Sequence, residues 1–134
     1  MTTAEQFIES KNSQFEKEKK KRKLRKMKDI GRKGHHNYLR THWTFVKQHN
    51  NTQKVFVIER LELAEVRGTT VSVSVKDIGD IEYRIGYYIV GKNGNKKGKW
   101  TWGQYCPMVP AKDLVHLFKK AVEEGTVLRA YFRY

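Results

Sequence analysis

Residues 54–66, KVFVIERLELAEV, decide the fold class. Val55, Val57, Leu61 and Leu63 share one parity, the spacing of a strand with a buried face, and Glu59 interrupts the series. Downstream, Thr70 to Lys76 alternates cleanly, with Val71, Val73 and Val75 on one side and Thr70, Ser72 and Ser74 on the other. Asp77 to Asp80 reads as a turn. Beyond it Ile81, Tyr83, Ile85, Tyr87 and Ile89 alternate with Glu82, Arg84, Gly86, Tyr88 and Val90. A glycine- and lysine-rich loop, residues 91–98, leads to another strand at Trp100 to Tyr105. Upstream, Trp43 and Phe45 alternate with His42 and Thr44 in a short strand that ends at the turn-prone residues 48–52.

Pro107 and Pro110 stop this pattern, and the apolar spacing becomes helical. Leu114, Leu117, Phe118, Ala121 and Val122 form one stripe, with Pro110 suited to a first turn and Gly125 to a C-terminal cap. Leu128 to Tyr134 returns to alternation and is expected to be a last strand. The expected class is α+β: a mainly antiparallel sheet of about five strands with one amphipathic helix packed on one face. The other face is then expected to be wet, and rich enough in Thr, Ser, basic residues and rings to serve as a nucleic-acid platform.

Charge divides the chain. Of its 134 residues, 28 are Lys or Arg and 14 Asp or Glu, giving net +14. Residues 1–40 hold 13 basic and 5 acidic side chains, and residues 17–33, KEKKKRKLRKMKDIGRK, hold 11 of those cations. Such a window repels itself and offers only Leu24, Met27 and Ile30 as apolar surface. Its residues favour helix, and Thr2-x-x-Glu5 is spaced as a capping box for a helix through Phe7, Ile8 and Phe15 that ends near Gly31 or Gly34. The domain reading is a basic N-terminal segment, 1–40, helical or a disordered arm, followed by an α+β nucleic-acid-binding domain, 41–134.

No stretch approaches the roughly 20 apolar residues of a membrane span, and residues 1–10 lack a signal-peptide core. The one cysteine, Cys106, excludes an internal disulfide and a multi-cysteine zinc site, and is expected to be a small packing residue. The expected location is cytoplasmic, nucleoid-associated, or nuclear in a eukaryote.

A cationic run raises the potential where phosphates lie. The electrostatic candidates are Lys20, Lys21, Arg22, Lys23, Arg25 and Lys26, then Lys96, Lys97 and Lys99 in the loop, read as flexible. Trp100 and Trp102 fall on one side of a strand, about 7 Å apart. They are a stacking ladder if that side is wet and packing residues if it is buried. Arg84, with Tyr88, is a further cation and ring on one parity. No enzyme constellation emerges. His35-His36-Asn37 resembles a fragment of the HNH nucleases without the further ligand a metal needs, and Ile85 to Gly91 resembles the GIY-YIG nucleases with the order wrong. No cofactor, metal or catalytic residue is expected.

The order of antiparallel strands, lysine-glycine hairpin and amphipathic helix over residues 54–124 resembles the single-stranded-DNA-binding coactivator-type domains. Trp100 to Pro110 departs from their pattern, so the resemblance implies nucleic-acid binding but carries over no residue. The function expected is non-enzymatic binding of DNA or RNA, with protein partners in a nucleoprotein assembly and no membrane. Two alternatives stay open: a module or inhibitor gripping an acidic protein, and a metal-dependent nuclease.

Overall fold

The computed structural model describes residues 2–27, 35–67 and 77–132. The chain opens with helix α1, Ala4–Lys20, then β1, Leu24–Met27; β2, His35–Lys47; β3, Lys54–Arg67; β4, Ile81–Val90; β5, Trp100–Trp102; and α2, Ala111–Glu123. The five strands form one antiparallel sheet in sequence order, curled into a half-barrel. The expected strand Thr70 to Lys76 lies outside the described residues. The helix expected to run to Gly31 or Gly34 ends at Lys20 instead, and the basic run continues as strand β1.

β3 is buried from Val55 to Leu61 because both of its faces are covered. Val55 and Val57 face α1, with Phe7, Phe15, Phe45 and Tyr88. Phe56 and Ile58 face α2, with Val46, Tyr87, Leu117 and Ala121. The single covering helix expected from the sequence is therefore two helices, one on each side. β2 runs through the 40/41 junction suggested by the charge distribution, and β1, inside the basic run, pairs with β2 from Leu24↔Leu39 to Met27↔His36.

α1 starts on a capping box at Thr3 and Gln6, one residue later than the Thr2 and Glu5 pair. The Gln6 amide donates to Thr3 Oγ1 at 3.1 Å, and the Thr3 amide donates to Gln6 Oε1 at 2.9 Å. Glu5 accepts instead from Lys47 Nζ of β2 at 2.6 Å. α2 follows Pro110 and ends where Gly125 adopts φ 78°, a left-handed value that glycine takes without a steric cost. Where a last strand was expected, Arg129–Phe132 is a 3₁₀ turn; residues 133 and 134 lie outside the described residues. Cys106 is exposed and not packed.

Asp113, in the first turn of α2, ties that helix to the β2–β3 turn. It accepts from the His49 amide at 3.2 Å and pairs with His49 Nδ1 at 2.8 Å. Burial alone raises the carboxyl's pKa, but the side-chain and backbone bonds from His49 outweigh it and hold it below the ordinary aspartate range. A depressed folded value stabilises the protein above the unfolded pKa of about 3.9, and the stabilisation fades as pH falls toward the folded one. In urea melts the gap between wild type and Asp113→Asn should therefore be wider at pH 5 than at pH 3. An equal gap at both would show that the carboxylate charge adds nothing.

Candidate nucleic-acid interface

The basic run makes a sharp reversal between α1 and β1. Lys21 caps the helix, the Arg22 amide donates to the Lys19 carbonyl at 3.0 Å, and the Lys23 amide donates to the Glu18 carbonyl at 2.9 Å. These two bonds are a Schellman ending, and they place Arg22 at the position where glycine is usual. Arg22 has φ 52°, a left-handed conformation that costs a side-chain-bearing residue roughly 1–2 kcal/mol. Lys20, Lys21, Arg22, Lys23 and Lys26 are exposed, and Arg25 is half-buried. Among the described residues only Glu18 answers them, 3.8 Å from Lys23 Nζ and 3.7 Å from Arg25 Nη2. Lys20, Lys21, Arg22 and Lys26 form no ion pair among the described residues.

Beneath this turn lies a charge network. Glu59, 0% exposed, accepts from Arg40 Nε at 2.6 Å and from Arg84 Nε at 2.5 Å. Arg40 also donates through Nη1 to Glu18 at 2.8 Å and covers the Phe15 ring at 3.7 Å. Register explains the convergence. Glu59 stands directly opposite Arg84 on β4, and a register shift in β2 between Arg40 and His42 leaves Thr41 as an extra residue. That bulge lets Arg40, of even number, face α1 together with the odd-numbered Trp43 and Phe45.

Excess positive charge marks this face. Lys11 Nζ lies 5.2–5.8 Å from the ring centres of Phe7, Phe15 and Tyr88. Its pKa is lowered first by burial and then by Arg40. Glu18 stays below the ordinary carboxylate range: burial pushes it up, but a bond from Gln14 and the charges of Arg25, Arg40 and Lys23 prevail.

The other candidates are placed differently. Lys96, Lys97 and Lys99 are exposed on a loop closed by bonds from the Gly91 amide to the Lys99 carbonyl and from Gly98 to Gly91, both 2.9 Å. Gly91 is required there, because a Cβ would run into the Lys96 carbonyl.

Trp100 and Trp102 do share a side, but it is the side α1 covers. Trp100 stacks on Phe7 with ring centres 4.8 Å apart and donates from Nε1 to the Thr2 carbonyl at 2.9 Å. Trp102 meets Tyr88 edge-on, carries Arg84 over its ring at 4.5 Å, and fills the space above Gly86. These half-buried indoles pack α1 against the sheet, and Arg84 belongs to the network with Glu59. The wet platform expected on this face is thus occupied by α1. Because Trp100 docks on the start of α1 and the basic turn closes its end, the loop and the turn sit at opposite ends of a helix about 25 Å long.

The network of Arg40, Glu59 and Glu18 was not anticipated. Its one sequence signal was Glu59 inside an apolar strand. Among the described residues no group of three or more His, Cys, Asp or Glu is placed to hold a metal ion, and no helix is long and apolar enough to cross a membrane. The chain matches no family model, no curated protein and no solved structure, so the likeness to coactivator-type domains gains no support.

Proposed function

We propose that this chain is a non-enzymatic nucleic-acid-binding protein whose turn between α1 and β1 contacts phosphates. One observation carries the reading: Lys20, Lys21, Arg22 and Lys26, on and beside a turn whose backbone is fixed by helix-capping bonds, are exposed without a carboxylate partner among the described residues. Fixed cations attract a polyanion with less ordering cost than a disordered arm. The loop cations Lys96, Lys97 and Lys99 form a second contact, reached by a strand long enough to follow α1. A place in a nucleoprotein assembly, in the cytoplasm, nucleoid or nucleus, accords with this chemistry.

The test is a titration of the full chain against single- and double-stranded DNA and RNA at several salt concentrations, with an acidic protein as control. Binding to the six cations from Lys20 to Lys26, on the turn and its flanks, predicts a slope of log affinity on log salt of about −5 for duplex DNA and about −4 for single strands. Binding to the acidic protein alone would replace this reading with that of an acidic-partner module.

A further inference from the structure

A cavity of about 170 Å³, partly open to solvent, lies between the end of α1, β1 and β2. Five cations line it, Lys19, Arg22, Lys23, Arg25 and Arg40, against the single carboxylate of Glu18. Glu18 is committed at the inner end by its 2.8 Å bond to Arg40, while its contacts to Lys23 and Arg25 exceed hydrogen-bond length. Arg40 is buried and spends Nε and Nη1 on Glu59 and Glu18, which leaves Nη2 with no protein acceptor among the described residues. Arg22 projects from a left-handed position that glycine fills at no steric cost, so its side chain is kept there against a conformational penalty.

We propose that this cavity is an oxyanion subsite for a phosphate monoester, and that its ligand is a terminal phosphate of nucleic acid. This rests on the function proposed above and narrows it from backbone contact to end recognition. Charge selects the end, since a monoester carries close to two negative charges near neutral pH and a diester only one. Arg22 and Arg25 supply planar guanidinium donors suited to two phosphate oxygens, and Lys23 adds a point charge.

The experiment uses the full chain and two probes. One oligonucleotide sequence is titrated with a 5′-phosphate, a 3′-phosphate or hydroxyls at both ends, and inorganic phosphate is tested by melting at constant ionic strength against chloride. Wild type should prefer one phosphorylated end by about tenfold or more, and inorganic phosphate should raise its melting temperature. Arg22→Gly should melt a few degrees higher than wild type yet lose both responses, a pairing that simple destabilisation does not produce. Arg25→Gln should also lose the end preference. Equal affinity for all three ends, or an end preference that survives Arg22→Gly, would overturn the subsite while leaving backbone binding intact. A phosphate response without binding to any oligonucleotide would instead overturn the nucleic-acid reading and leave a site for free phosphate.

Discussion

Glu59→Gln should cost about 3–5 kcal/mol in urea or thermal unfolding, a large share of the roughly 5–15 kcal/mol that holds a domain together. The carboxylate is fully buried and binds Arg40 and Arg84 through separate oxygens. Glutamine keeps the shape but replaces one acceptor with a donor, so one guanidinium faces another N–H at the end of a fully buried side chain. The size of the loss follows from leaving cations unmatched and is not a measure of what the intact network adds to stability. A loss below about 1 kcal/mol would mean that water reaches the network and that Glu59 behaves as a surface ion.

Phe15→Ala should cost about 3–5 kcal/mol as well. The ring is 1% exposed, lies edge-on to Trp43 at 5.4 Å and beside Phe45 at 5.7 Å, and carries Arg40 on its face. Its removal opens a cavity under α1 and strips Arg40 of its aromatic support. This loss separates a packed helix from a solvated arm, because an arm would lose almost nothing. A change below about 1 kcal/mol, with the sheet still folded, would place α1 off the sheet.

The strands were legible from sequence alternation, although burial does not follow it throughout: in β4 Gly86, Tyr87 and Tyr88 are all buried and Ile85, on the apolar parity, is exposed. The stripe Leu117, Phe118, Ala121 and Val122 marks α2. The covering of the second face was also written in the sequence, but in two places. Val55-Phe56-Val57-Ile58 is apolar at both parities, as a strand buried on two sides must be, and Phe7 and Phe15 wait eight residues apart on a helix. Neither signal names the other as its partner, since nothing local joins residues so distant in sequence. The long run of lysines masked α1 further, because charge on the outer face of a helix says nothing of the inner one.

Two features of the candidate site were not legible. Arg40 reaches Glu59 only because the bulge at Thr41 reverses the parity of β2, and a bulge there carries no glycine to announce it. The turn at Arg22 was hidden for a related reason: the chain reverses through a left-handed residue that is not glycine, inside a run whose composition favours helix. The same composition made the cations themselves legible. Their exposure followed from charge alone, whereas their gathering around one cavity depends on the turn.

The most direct test of the central claim is the salt dependence of nucleic-acid affinity for wild type and for the triple variant Lys20→Ala, Lys21→Ala, Lys26→Ala. These lysines are exposed and form no ion pair among the described residues, so folding should be unchanged, as a melting curve will verify. If they neutralise phosphates, the slope of log affinity on log salt should become shallower by about 2–3, with weaker binding across all sequences alike. A slope that does not change, or wild-type protein that binds no nucleic acid at moderate salt, would contradict the claim.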